Sequence, residues 1–381
     1  MSKYAQTCPI IYGKGSTEQL GAETKKLGCS KVLLVTDQGV KKTAAFKNSV
    51  NSLEESQIEV VVFDKVIPDP PDYLINEGGE LAKKEEVDGI VAVGGGSPMD
   101  AAKGINILIN NPLPINQYFG DPTYQPGVPV VMVPTTAGTG SESTSIAVVT
   151  DTTNDAKNSV IGNADLGILD PENTTSLPFE ITAQTAIDTL AHAAESITAK
   201  VPNPRSELMA VDAIEKVVNN LETVLNDSEN LEARGDLLLA SNFAGIAFND
   251  ALVHLGHALA HSIGAKFHLT HGVVCGLALP EVMIYAADVK PDKVKTVGEA
   301  FGINFSGEES DSQIAEKTAA EIRKFVKKAG IKSFAELEIS KEELVDTADM
   351  VMVDACYNFV PRELTAAEIK NILADMYDNY K

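Results

Sequence analysis

The chain has 381 residues, 44% of them hydrophobic and 22% charged, with a formal net charge of −23; the length calls for about two domains of roughly 150 residues each, and the balance is that of a soluble globular protein. A negative field of this size disfavours nucleic acid and anionic membrane surfaces as partners. No stretch approaches the ~18 apolar residues of a membrane span, the opening MSKYAQTCPIIYGKG has no apolar run behind a basic one, and Cys8, Cys29, Cys275 and Cys356 form no C-x-x-C pair, so the reading is a cytoplasmic protein whose cysteines are mostly buried thiols.

To about residue 180, short β-branched runs alternate with amphipathic segments. Residues 32–36, 59–63, 89–93 and 130–133 are apolar runs bounded by Gly, Pro or Asp, which predicts buried strands. Residues 39–54, 72–86 and 98–109 lie between them with helical patterning. This alternation predicts a Rossmann-like α/β domain over residues 1–180, a parallel sheet flanked by helices. After Leu177-Pro178 the strand signals stop, and Ala/Leu/Glu/Lys-rich segments continue to Lys381. The second domain, residues 181–381, should be all-helical. No tandem repeat or Gly/Ser linker interrupts the chain, and two packed domains with a cleft between them is the simplest architecture.

In GIVAVGGGSPMDAAKGI a strand runs through Gly94, Gly95 and Gly96 into a helix. Ser97 is the expected N-cap, Pro98 suits the first helical position and Asp100 falls three residues after the cap. Free amides at such a helix start, aided by the helix dipole, bind anions, and a pyrophosphate would fit. A tight turn without a ligand would read the same way. A second small-residue stretch, PTTAGTGSES, follows the run at 130–133 and contains Thr135, Thr136 and Thr139; two such loops after strands of one sheet favour a nucleotide site. These residues and Lys157 are the candidate cofactor contacts. Asp37 ends the first clear strand, where an acidic residue binds ribose hydroxyls and repels a 2′-phosphate, favouring NAD(H) over NADP(H); the alternative is that Asp37 only caps the next helix.

Five of the six histidines crowd into HLGHALAHSIGAKFHLTHG. His254, His257 and His261 are spaced to share one face of a helix, Gly264 allows a bend, and His268 and His271 follow. The sixth, His192, lies four residues after Asp188 in AIDTLAHAAES, which puts a carboxylate and an imidazole on one helix face. Imidazoles with a carboxylate are typical of catalytic Zn²⁺ and Fe²⁺ sites.

Together GGGSPMDAAK, PTTAGTGSE, DTLAH and HALAHSIGAKFHLTHG, in this order, make the chain resemble the iron-containing (group III) alcohol dehydrogenase family over essentially its full length. The resemblance implies a dehydroquinate synthase-like fold, metal ligands Asp188, His192, His257 and His271, and Fe²⁺ as the native metal, with Zn²⁺ also suited to these ligand types. His261 matches the family's non-ligand histidine near the substrate; it is the candidate proton relay, or a residue that only shapes the pocket. His254 is read as structural and His268 as a candidate pocket residue.

The implied reaction is metal-dependent, NAD(H)-linked oxidation of a small primary alcohol, or reduction of the aldehyde, in a homo-oligomer of dimer size or larger. Ile146, Phe248 and Cys356 fall where related enzymes line the alcohol pocket, and Lys266 with His268 would allow a substrate bearing a terminal anion. The alternatives are a glycerol dehydrogenase, an NAD-using metal-dependent lyase of the dehydroquinate synthase type, and a metal-binding protein without catalysis.

Overall fold

The computed structural model describes residues 8–154 and 156–380. The first seven residues of the opening segment lie outside this range. The polypeptide divides into two compact units between Leu177 and Pro178.

The first unit is built on one parallel sheet. Strands β1 (Ile10–Tyr12), β2 (Lys31–Asp37), β3 (Glu59–Val66), β4 (Gly89–Gly94), β5 (Val130–Pro134) and β8 (Leu166–Leu169) pair in the order β1-β8-β5-β4-β2-β3. Every residue of β4 and β5 is buried, as expected of strands covered on both faces. Successive side chains point to opposite faces, so the sheet feeds two cores. Leu33, Val35, Ile90, Ala92, Val130 and Met132 belong to one; Val32, Leu34, Val91, Val93, Val131 and Val133 belong to the other.

Helices α3 (Asp72–Lys84) and α4 (Gly96–Ile109) pack on the first core through Ile75, Met99 and Ile105, whereas α1 (Leu20–Lys26) and α2 (Ala44–Glu55) cover the second through Leu20 and Leu53. The sequence reading omitted β1, β8 and an antiparallel hairpin, β6 (Ile146–Asp151) with β7 (Ala156–Ile161). These are short or only half-buried elements, whose apolar signal is weak by itself. The chain leaves β2 toward β3 on one side and β4 toward β5 on the other. The carboxyl ends of β2 and β4 therefore form the switch point at which open α/β sheets bind ligands.

The second unit holds only helices among its described residues: α5 (Phe179–Thr198), α6 (Pro204–Asn226), α7 (Leu231–Ala251), α8 (Leu255–Phe267), α9 (His271–Ala287), α10 (Pro291–Ala300), α11 (Asp311–Lys328), α12 (Lys341–Val345), α13 (Ala348–Val353) and α14 (Ala366–Asn379). Helix α5 is buried from Ala186 to Thr198 and packs against α6, α7 and α9, so its polar residues must find partners inside the bundle. Between α7 and α8 the axis turns by 107°, with Leu252 at a positive φ of 66°. No single described helix is long and apolar enough to cross a membrane.

Candidate active site

The cofactor candidates of the first unit gather at the carboxyl edge of its sheet. Gly94 closes β4, and its carbonyl accepts from the Thr135 amide at 2.9 Å. Helix α4 begins at Gly96 with Gly95 as N-cap, and no side chain caps it. The expected cap at Ser97 is therefore corrected: Ser97 lies inside the first turn, and Pro98 is the third helical residue rather than the first. The helix starts earlier because Gly95 is extended (φ −81°, ψ −160°) and the residues after it are already helical. An N-terminus without a side-chain acceptor leaves its first amides available to an anion, which fits a pyrophosphate.

The two glycine and threonine loops pack on each other. A Cβ added at Gly95 would lie 3.2 Å from Thr136 Cγ2, and one at Gly96 only 2.7 Å from Thr139 Cγ2. Asp100 is tied inward rather than to the helix start, accepting from Ser141 Oγ at 2.7 Å and the Val148 amide at 3.1 Å.

One turn later Lys103, 1% exposed, donates to Ser141 O (2.8 Å), Ser141 Oγ (3.0 Å), Thr144 Oγ1 (3.1 Å) and Ile146 O (2.9 Å). Burial pushes its ammonium down to about 8, against the pull of Asp100 and Glu142. Lys103 thus anchors α4 to the second loop, a role the sequence reading did not give it. Asp37 Oδ1 accepts from the amides of Gly39 (2.7 Å) and Val40 (2.9 Å). It holds the turn after β2, and the short helix that follows, Val40–Lys42, has Gly39 as N-cap and no side-chain cap. Lys157 lies on β7 with Nζ 2.8 Å from Asp69 Oδ1.

In the second unit α5 presents Asp188 and His192, α8 presents His257, and α9 opens on His271. Ligating atoms of Asp188, His257, His271 and Cys275 all lie within 4.8 Å of one another. Asp188 Oδ1 stands 3.5 Å from His271 Nε2, and Asp188 Oδ2 stands 3.8 Å from His192 Nδ1. The rings of His192 and His257 have centroids 4.6 Å apart, those of His257 and His271 5.2 Å. Phe248 stacks on His192 at 4.4 Å.

Asp188 Oδ1, His192 Nδ1 and His257 Nε2 are buried without a hydrogen-bond partner. Buried polar atoms are normally satisfied, so orphans on three neighbouring residues fit a cation as their missing partner. Burial holds His257 and His271 well below the ordinary imidazole range, assisted by neighbouring histidines (His192 and His261 in both cases) and, for His271, against the pull of Asp188. They are neutral, the form that binds metals.

Cys275, one turn after His271 with its sulfur 3.5 Å from His271 Nε2, joins the cluster unforeseen, although the i+4 spacing in HGVVC is a visible signal. Burial keeps its thiol well above the usual range.

His261 stacks on His271 (5.4 Å between centroids) and is 20% exposed at its side chain. Its Nδ1 lies 3.0 Å from Asp354 Oδ2, and His261, Asp354 and Cys356 form a second close group. Burial raises Asp354, but the His261 hydrogen bond and other contacts outweigh it and hold the carboxyl below its usual value. Nothing in the spacing of DACYNF announced Asp354.

His254 does not share the helix face expected for it. It precedes α8 as N-cap, fully buried, with Nε2 3.0 Å from Thr198 Oγ1, which bears out a structural role. The expected bend at Gly264 falls instead at His268, in the left-handed region with φ 55°; α8 runs unbroken through Gly264. Lys266 is exposed and donates to Glu343 O at 3.0 Å.

The sequence and fold have close counterparts. Residues 8–171 match the family described as iron-containing alcohol dehydrogenase, and residues 182–377 the C-terminal domain of the Fe-containing alcohol dehydrogenase family. The chain is 33% identical to an NAD-dependent methanol dehydrogenase of Bacillus methanolicus over 95% of this chain and 96% of that protein. A crystal structure of 1,3-propanediol oxidoreductase superposes with a TM-score of 0.95 at 34% identity, covering 99% of this chain and all of that one. Sulfoacetaldehyde reductase from Bifidobacterium kashiwanohense, solved with NAD⁺, is similar at TM-score 0.86 and 26% identity, over 100% of this chain and 98% of that one. The chain belongs to the iron-containing alcohol dehydrogenase family.

Proposed function

We propose that the protein interconverts a small, uncharged primary alcohol and its aldehyde with NAD(H), using a divalent cation held by Asp188, His192, His257 and His271. The observation that carries this reading is the set of buried, unpartnered atoms on Asp188, His192 and His257, which no protein group satisfies. When bound, the cation supplies Lewis acidity toward an alcohol or carbonyl oxygen, and the nicotinamide accepts or donates hydride. Fe²⁺ is the proposed native metal and Zn²⁺ the alternative, since both accept imidazole and carboxylate.

The residues around the cluster have separate tasks. With Nδ1 of His261 hydrogen-bonded to Asp354, Nε2 is the atom left to take the alcohol's proton, and its partial exposure gives a path toward solvent. Phe248, stacked on His192, presents an apolar wall. In this reading the uncapped start of α4 and the Thr135–Thr136–Thr139 loop hold the pyrophosphate, and Asp37, at the carboxyl end of β2, is the acidic residue for the ribose, favouring NAD(H) over NADP(H). A terminal anion on the substrate is disfavoured, because the ammonium of Lys266 is exposed and bound to the Glu343 carbonyl.

The same reading makes the protein a cytoplasmic homo-oligomer. Four free cysteines suit a reducing compartment. The test is a panel of aldehydes with NADH and NADPH, run on protein loaded with Fe²⁺ or Zn²⁺ and on chelated protein. Stoichiometric NADH oxidation by short neutral aldehydes, lost on chelation and restored by metal, is expected. No net NADH turnover with any aldehyde or alcohol would favour the lyase reading, and faster reduction of carboxylated or sulfonated aldehydes would overturn the neutral substrate.

A further inference from the structure

Glu195 is charged by nature yet 0% exposed, and neither the ligand set nor the relay uses it. It lies on α5 one turn past His192 and faces the start of α8. Its Oε2 accepts from the backbone amides of His254 at 2.6 Å and Gly256 at 3.2 Å, and its Oε1 lies 2.8 Å from His257 Nδ1. One carboxylate therefore caps a 13-residue helix and holds a side chain in that helix's first turn.

The opposite side of the His257 ring carries the consequence. Nε2 is buried and has no hydrogen-bond partner. With Nδ1 engaged by Glu195 Oε1 at 2.8 Å, Nε2 is the ring nitrogen left to face the cluster, because the partner of one imidazole nitrogen sets what the other can do.

The backbone is shaped to allow this approach. A Cβ at position 256 would lie 2.3 Å from Glu195 Oε1, so only glycine admits the carboxylate. His254, held by Thr198 one turn further along α5, fixes the same corner from the other side.

We propose that Glu195 is a positioning residue for the metal centre, fixing the tautomer and orientation of His257 while capping α8. The proposal rests on the reading of His257 as a ligand. Outer groups of this kind raise ligand basicity and lock ring orientation, and their loss commonly weakens metal binding 10- to 100-fold.

The test starts from the full-length Zn²⁺-loaded protein and titrates it with a chromogenic chelator to obtain the Zn²⁺ dissociation constant for wild type, E195Q, G256A and H257A, with circular dichroism as the control for folding. E195Q and G256A should each weaken Zn²⁺ by roughly 10- to 100-fold, and H257A by more. G256A inserts a better helix former, so its loss would come from displacing the carboxylate. If H257A holds Zn²⁺ as wild type does, the ligand reading fails; if H257A loses Zn²⁺ while E195Q and G256A stay within about threefold of wild type, the ligand reading stands and the role of Glu195 is overturned.

The wild-type protein gives a second, independent readout. With histidine nitrogens labelled by ¹⁵N, the His257 Nδ1 proton of the Zn²⁺-loaded protein should be a downfield resonance that exchanges slowly with water. A rapidly exchanging Nδ1 proton overturns the proposal whether or not the variants fold.

Discussion

The two chemically active regions are built on opposite plans. At the carboxyl edge of the sheet the groups proposed to meet a ligand are backbone amides, and the side chains around them, Thr136, Thr139, Asp100 and Lys103, hold one loop against the other. In the helical unit the backbone is regular helix, and the groups proposed to meet a ligand are side-chain atoms of Asp188, His192, His257 and His271. A backbone site is spoiled by added bulk and is otherwise tolerant, so damage should be graded. A side-chain site fails when one donor is removed.

The sharpest way to break this comparison is to delete a donor. His271→Ala should lose metal and activity together, with turnover falling by more than the roughly 10- to 100-fold typical of groups outside the ligand shell. Metal analysis beside steady-state rates checks it, and a metal-replete, active variant would remove His271 from the ligand set. Next in size, His261→Ala should keep its metal yet lose turnover by roughly 10²–10⁴-fold if Nε2 relays the proton. Loss of metal equal to that of His271→Ala would make His261 a ligand, and normal turnover across pH would leave it no relay.

At the backbone site Gly96→Ala should act through sterics, because the new Cβ meets Thr139 at 2.7 Å. Overpacking of this kind costs about 1–3 kcal/mol, or roughly a 5- to 150-fold rise in KM for NAD(H) with kcat little changed. Adding Thr139→Ala should restore much of the loss, and an unaffected single variant would show that the loops do not depend on this contact.

The smallest effect concerns Lys103. Its folded-state value of about 8 lies below the ordinary 10.5, so the unfolded chain binds more protons between those values and this residue's contribution to stability rises with pH across that window. The stability of wild type relative to Lys103→Met, from denaturant unfolding at pH 8, 9 and 10, should therefore increase by up to about 1.4 kcal/mol per pH unit. A flat difference would mean that Lys103 titrates in the fold as it does in water.

The regions also differ in how far they could be read without coordinates. All four strands expected from apolar runs are in the sheet, but only β2, β4 and β5 lie inside it, where a strand buried on both faces needs a continuous apolar run; β3, expected to be buried, is instead an edge strand with Val62 37% exposed. The hairpin 146–161 was missed because alternate half-buried residues leave little contrast. In the helical unit the D-x-x-x-H pair and the histidine spacing located the cluster, since helix geometry converts separation in sequence into a shared face. The extension of that face to His254 failed because α8 begins one residue later, at Leu255. Asp354, ninety-three residues from His261, has no such local rule to reveal it.

Composition, strand periodicity, the glycine turns and the imidazole spacing thus settle in the sequence itself, since each depends on residues within a few turns of one another. Which helix start an uncapped Gly95 produces, which loop Lys103 anchors, which carboxylate faces each ring nitrogen and which buried atoms lack a partner are decided only by packing. These depend on distances between elements that the chain brings together from far apart: Glu195 meets His257 across 62 positions at 2.8 Å, and Lys103 meets Ser141 across 38 at 2.8 Å. Local propensity determines neither, because a buried polar group takes whatever partner the tertiary fold places within hydrogen-bond reach.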